Sequence, residues 1–295
     1  MEQNTSGYIN SVNINGGTPF PYLVLSVEND KSFPLNPGFR VMHWHEDLQF
    51  IYVISGRIRV KTLAEEEVLS EGEGVFINSN VVHSAERDGN CSYRSFIFPQ
   101  SFVSFYPGSP AEELTKEITR NSSRMLMALR RDNGWKTDAL NILLTLSGLE
   151  EKEHADIYPY EVLSLLSVLW LMILKNAENT EERETGLTAQ RMRIFLHYIE
   201  EHYGEEITLE KLSQSACVSI SECLRCFHSS LQTTPCRYIM DYRLSKAAEL
   251  LRKTDLPITE ISAMTGFNAQ SYFGLCFRKK AGCTPKEFRS GLTLN

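Results

Sequence analysis

Two stretches near the end of the chain decide its fold: Ile207-Thr-Leu-Glu-Lys-Leu-Ser-Gln-Ser-Ala-Cys-Val-Ser219 and Pro257-Ile-Thr-Glu-Ile-Ser-Ala-Met-Thr-Gly-Phe-Asn268. Each reads as a short helix, a turn of about three residues and a second helix, which ends near Phe227 in the first copy and in Phe277-Arg-Lys-Lys280 in the second. Thr208 and Thr259 stand where they could cap the first helices, and Ser219 and Asn268 where they could cap the second. The turns Ala216-Cys-Val and Thr265-Gly-Phe fall at equivalent places. One such unit arises often in helical proteins. Two within about 80 residues are a far more specific signal.

Working outward, every segment from residue 188 onward has helical spacing: Thr188 to Tyr203, Leu209 to Ala216, Ser219 to Leu231, Pro235 to Lys253, Ile258 to Thr265, Ala269 to Ala281 and Pro285 to Ser290. The repeat, with Gln270-Ser-Tyr-Phe and Phe277-Arg-Lys-Lys-Ala-Gly-Cys-Thr-Pro-Lys-Glu-Phe-Arg289, resembles the DNA-binding domain of the AraC/XylS family of bacterial transcription regulators. That resemblance implies double-stranded DNA at promoter or operator sites as a partner, with RNA polymerase as a further one. It also implies that the long helix Pro235 to Lys253 holds the two units about one DNA turn apart, so that one monomer reaches two successive major grooves. By position it offers Ser219, Ser221, Glu222 and Arg225 from the first reading helix, the Arg being able to grip a guanine with two hydrogen bonds. The second helix offers Asn268, Gln270, Ser271 and Leu275. It departs from the family at Gly274-Leu275, where a small polar residue and an Arg are common, so Leu275 meets a thymine methyl or lies on the backbone. Arg278, Lys279 and Lys280 are candidates for phosphate contacts.

Charge divides along the same line. Residues 1–187 carry 16 Lys/Arg against 26 Asp/Glu, a net of −10, whereas 188–295 carry 14 against 11, a net of +3. An acidic front joined to a basic rear is expected when only the rear meets a polyanion. The composition, 42% apolar and 23% charged, excludes low-complexity and collagen-like chains. The most apolar run, Leu163 to Leu174, is shorter than the roughly 20 residues of a spanning helix, and the polar start lacks the order of a signal peptide, so no membrane and a cytoplasmic location are expected. Seven cysteines, six of them in the last third, read as reduced packing thiols, Cys223-x-x-Cys226 included.

The front has a different period. Leu48 to Ile54, Arg57 to Thr62, Val68 to Glu71, Gly74 to Ile77 and Tyr93 to Phe98 are short β-rich runs without intervening helices, which predict an antiparallel barrel or sandwich. Helical spacing follows in three segments: Leu114, Ile118, Met125 and Leu129; Leu140 to Leu146; and Val162 to Leu174. The third is apolar almost all round, which fits either a helix sandwiched in its own domain or a homodimer interface. The polar run Asn176 to Gly186 is the best linker candidate. The expected chain is therefore multidomain α+β: a barrel over 1–105, a helical dimerisation and coupling segment over 106–178, a linker over 179–187, and an all-α domain with two helix-turn-helix units over 188–295.

Within the barrel, His43-Trp-His45, Gln49, Gly56 and Gly74-Val-Phe-Ile-Asn-Ser-Asn-Val-Val-His83 resemble the two motifs of the cupin fold, a small barrel that holds a ligand or metal through clustered histidines and an acid. The resemblance implies a small-molecule effector site lined by His43, His45, Gln49, Tyr52 and His83, suited to a polar or anionic molecule. Gln49 occupies the place of the acidic ligand, and Asn78 sits where Pro is frequent. A neutral amide is a poor metal ligand, so neither a metal nor another cofactor is expected. Two alternatives stand beside the ligand-sensing regulator: a metal-dependent cupin enzyme with an appended helical domain, and a DNA-binding protein whose barrel only dimerises.

Overall fold

The computed structural model describes residues 9–10, 15, 18–36, 41–120, 126–132, 134–151, 155–176, 186–231 and 233–290. The chain divides into two units, Met1–Gln190 and Arg191–Asn295. In the first, alternating β-branched and aromatic residues give β1 (Ile9–Asn10), β2 (Leu23–Glu28), β3 (Lys31–Phe33), β4 (His43–Trp44), β5 (Leu48–Thr62), β6 (Glu66–Ser70), β7 (Gly74–Ile77) and β8 (His83–Phe98). Helices α1 (Ser101–Ser104) and α2 (Pro110–Thr119), strand β9 (Leu126–Leu129), and helices α3 (Trp135–Leu149) and α4 (Tyr158–Asn176) follow. The long strand β5 pairs antiparallel with β6, β7 and β8, and β8 in turn takes β2 and β4. Among the described strands only β1 and β4 run parallel.

The two runs expected on either side of Gly56 are one strand. Gly56 has φ +74°, and a Cβ there would lie 1.9 Å from the Asn90 carbonyl oxygen, so only glycine lets β5 bend against β8 while the ladder shifts register on both sides. Period-two alternation then splits β5 between two cores. Leu48, Phe50 and Tyr52 face Phe76, Phe96, Leu143, Leu166 and Trp170 under the helices. Ile51 and Val53 face Leu25, Val60, Val75 and Ile97 inside the sheet.

Leu126 to Leu129 corrects the expected helix. It is β9, paired with β7 from Ile77↔Leu126 to Gly74↔Leu129. Leu-Met-Ala-Leu has good helix formers, but four residues against an open strand gain a full ladder, which a single helical turn cannot match. Helix α4 is long and apolar enough to cross a membrane by length and composition. Its Val162, Leu166, Leu169, Trp170 and Ile173 instead share the core under the sheet, the place of a core helix. The same helix leaves Tyr160, Val168 and Leu171 exposed, continuing from Ile157 just before it, a stripe at helical spacing on the face away from that core. Of the expected linker, residues 177–185 lie outside the described residues.

The second unit is helical: α5 (Leu187–His202, which enters from the first unit), α6 (Leu209–Ser215), α7 (Ile220–Leu231), α8 (Pro235–Lys253), α9 (Ile258–Met264), α10 (Gln270–Ala281) and α11 (Pro285–Arg289). Thr208 accepts from the Lys211 amide and Ser219 from the Glu222 amide, so both caps form in the first unit of the repeat. In the second they do not: Pro257 and Ala269 occupy the cap positions of α9 and α10 and make no side-chain cap. The turns are superposable in their bonding. Cys217 N donates to Gln214 O and Val218 N to Ser213 O, while Gly266 N donates to Ala263 O and Phe267 N to Ser262 O. Both pivots are left-handed, Cys217 at φ +53° and Gly266 at φ +76°. Gly266 has no alternative, since a Cβ would meet the Tyr203 carbonyl oxygen at 2.5 Å.

Candidate DNA interface and ligand site

Helix α6 begins 49 residues before α9, but α7 begins 50 before α10, so the second turn is one residue longer. Burial follows the longer offset: Cys223 and Phe227 in α7 correspond to Phe273 and Phe277 in α10, each fully or almost fully buried. Matched this way, Ser221 corresponds to Ser271 and Arg225 to Leu275. The outward face of α7 carries Ser221, Leu224, Arg225 and His228; that of α10 carries Gln270, Ser271, Tyr272, Leu275, Arg278, Lys279 and Lys280, all exposed. Ser219 and Asn268 are exposed just ahead of these helices. Leu275 is 67% exposed, a large apolar side chain turned mainly to solvent.

Two candidate contacts are engaged within the unit. Lys280 Nζ donates to Asp241 Oδ1 on α8 at 2.8 Å, an exposed pair. Arg225 donates from Nε to Glu222 Oε2 at 2.7 Å and from Nη2 to Glu222 Oε1 at 2.6 Å, and Arg191 on α5 donates to the same Oε1. Hydrogen bonds from Arg225 hold the Glu222 carboxyl at about 2, so it is ionised throughout the physiological range. Arg191 gave no signal in the sequence, because it lies outside both halves of the repeat.

In the first unit of the chain, β4 pairs His43 with His83 on β8, and His45 follows two residues on. All three imidazoles are buried, and their ligand nitrogens lie within 4.8 Å of one another. Each anchors Nδ1 on a backbone carbonyl: His43 on Val41 at 2.8 Å, His45 on Asp47 at 2.9 Å and His83 on Val81 at 2.9 Å. Such anchoring fixes the Nδ1–H tautomer and leaves lone pairs at Nε2. His83 Nε2 is buried without a hydrogen-bond partner. Burial pushes His43 down to about 4 and lowers His45 and His83 as well, the neighbouring imidazoles adding to the effect at His43 and His83. The cluster is therefore neutral and electron-donating at pH 7.

Gln49 joins the cluster, its Oε1 2.9 Å from His45 Nε2 and its Nε2 donating to Ser95 Oγ at 2.7 Å. With Asp47 already on Nδ1, this orientation gives His45 two acceptors and suits the cation; the neutral ring requires the amide turned, with NH2 toward His45 and the oxygen toward the Ser95 hydroxyl. Tyr52 is not part of the site. Alternation turns it to the opposite face from Gln49, into the core under the helices. Asn78, where Pro was the frequent residue, donates to the Ile118 carbonyl and ties the end of α2 to the sheet.

Three backbone-anchored imidazoles are the chemistry that a borderline divalent metal takes, so His43, His45 and His83 could hold one, which would supply a Lewis-acidic point for an anion. The fit is partial. Tetrahedral zinc with about 2.0 Å bonds needs its nitrogens roughly 3.3 Å apart, closer than the 4.8 Å span here, and Gln49 brings no compensating negative charge.

The helix-turn-helix domain family matches residues 212–291 and the cupin domain family residues 32–94. YdeC of Bacillus subtilis, an uncharacterized HTH-type transcriptional regulator, is 29% identical over 262 residues, 85% of this chain and 87% of that one. The chain is an AraC-type helix-turn-helix regulator with an N-terminal cupin domain. LumQ of Photobacterium leiognathi, a probable transcriptional regulator, is 25% identical over 86% of this chain and 96% of its own. A solved structure of ToxT from Vibrio cholerae aligns over 96% of this chain and 99% of that one, with TM-score 0.44 and 13% identity. The relatives of this AraC-type regulator are transcriptional regulators, not enzymes, and the chain is a DNA-binding regulator rather than a cupin enzyme.

Proposed function

We propose that the cupin domain is a sensor whose buried histidine cluster receives a small-molecule effector and thereby controls sequence-specific promoter binding by the helix-turn-helix domain, in a homodimer acting in the cytoplasm. The observation that carries the sensor is the set of three neutral, backbone-anchored imidazoles, with His83 Nε2 unsatisfied inside the sheet. Buried polar atoms are almost always paired, so the orphan acceptor on His83, beside the His43 ring and with His45 Nε2 already taken by Gln49, calls for a guest that donates a hydrogen bond. That favours a hydroxyl- or ammonium-bearing molecule over an anion, which an unprotonated imidazole lone pair would repel. Elemental analysis after purification without added metal is expected to find no stoichiometric zinc, iron, nickel or manganese. About one per chain, lost on His45→Ala, would make the cluster a metal centre and move the effector onto that metal.

On the DNA side the exposed Arg225 supports the first unit as the principal reader, and Leu275 at the matching position supports a looser second half-site. A bidentate Arg–guanine contact discriminates by about 1 to 3 kcal/mol. Arg225→Ala should therefore relax preference at one or two base pairs of a single half-site, whereas Lys279→Ala should weaken all sequences alike and reduce the salt slope by about 1. A uniform loss of affinity for Arg225→Ala, with unchanged preference, would make it a backbone contact.

A further inference from the structure

We propose that Arg191, on the helix preceding the first helix-turn-helix unit, is a specificity-determining positioning residue that acts through Glu222 to hold the Arg225 guanidinium ready for a base. This rests on Arg225 reading DNA, as proposed above. Glu222 takes Arg225 side-on, with Oε2 on Nε and Oε1 on Nη2. A guanidinium has five N–H groups, and this grip uses the Nε edge alone. The fork formed by Nη1 and the second Nη2 hydrogen stays free, and that fork is the edge which meets guanine O6 and N7.

An Arg–Glu pair three residues apart on an exposed helix is ordinarily worth little and exchanges among rotamers. Here a third group changes the situation. Arg191 reaches across from α5 to the same carboxylate oxygen, so Glu222 is fixed from two helices. Its side chain is 24% exposed and that of Arg191 27%, while Arg225, the outer member, is 59% exposed. Two guanidiniums on one carboxylate also leave a net positive charge, so the cluster attracts a phosphate backbone instead of presenting it with a neutral pair. Without Arg191 the carboxylate is held only from its own helix, by Arg225 and by the weak Cys226 thiol donor at 3.8 Å, and can swing outward, where it would compete with guanine for the fork or accept from a cytosine amine. At the matching positions of α10 stand Tyr272 and Leu275, so this arrangement belongs to the first unit only.

The test is selection of the full chain against a duplex with a randomised site at fixed salt, for wild type, Arg191→Ala, Arg191→Lys, Glu222→Gln, Arg225→Ala and Arg191→Ala combined with Arg225→Ala, with helix content checked by circular dichroism. Arg191→Ala should reduce the preference for guanine under Arg225 by roughly fivefold, the lower end of what a bidentate contact discriminates. Glu222→Gln, which keeps the shape and weakens both bonds, should do the same, Arg191→Lys should retain most of the preference, and Arg191→Ala should add nothing in the Arg225→Ala background. If Arg225→Ala relaxes the preference while Arg191→Ala and Glu222→Gln leave it intact or weaken all sequences equally, Arg191 is a structural or phosphate-contacting residue and the proposal is wrong. If Arg225→Ala itself leaves the preference unchanged, the assignment of Arg225 as a base reader fails and this proposal falls with it.

Discussion

Val168→Glu combined with Leu171→Glu should halve the mass of the protein in sedimentation equilibrium while its helix content and unfolding midpoint stay close to wild type. Both side chains are about half exposed on α4, in line with Tyr160 and with Ile157 just before the helix. Exposed apolar stripes of this kind on a folded domain mark contact surfaces, and a second copy of the same helix is the simplest self-complementary cover. Leu166 and Leu169, on the same helix, are fully buried in the core under the sheet. Leu166→Glu must therefore place a carboxylate among Leu143, Phe76 and Trp170, at a cost of several kcal/mol, on the order of 4. It should unfold the cupin domain, and it would report nothing about assembly. A wild-type monomer, or an unchanged mass for the Val168/Leu171 variant, would place the stripe outside any dimer contact.

A second large effect is expected from acid. The unfolded chain binds protons on its histidines near pH 6.5, whereas burial lowers folded His43 to about 4 and lowers His45 and His83. Below pH 6.5 the unfolded state thus binds more protons than the folded one, and stability falls as pH falls; above it the contribution is complete. His43 alone should remove about 2 kcal/mol between pH 7 and pH 5. The three tryptophans, Trp44, Trp135 and Trp170, all lie in the first unit, so their fluorescence in urea follows the cupin domain and not the helical one. His43→Asn should flatten much of the pH dependence. Equal stability of the wild type at pH 7 and pH 5 would mean that these imidazoles are not held neutral in the interior.

The helical domain was legible almost to the residue, because its signals are local: apolar spacing, threonine and serine at helix starts, and a left-handed turn that repeats. The exceptions were non-local. Thr259 and Asn268 have the chemistry of caps, yet Thr259 falls inside α9 with Pro257 at its cap position, and one extra residue in the second turn moves Asn268 off the cap of α10, a shift that only burial of Phe273 and Phe277 shows. In the cupin domain, His43, His45, Gln49 and His83 come together as their motifs implied, while Tyr52 goes to the other core through the parity of β5. Leu126 to Leu129 became a strand because β7 had an open side, which no window around those four residues contains. Arg191 escaped notice for the same reason, its partner Glu222 being 31 residues away.

The most direct measurement is selection of a fully randomised duplex of about three helical turns by the full-length chain, followed by sequencing of what it retains. Two unequal reading helices held by one long helix predict enrichment of two half-sites about one turn, or 10 to 10.5 base pairs, apart, one with a fixed guanine and the other weakly constrained. Enrichment of a single half-site, of two equally strict ones, or of no sequence at all would contradict the assignment of α7 and α10 as unequal readers of successive major grooves.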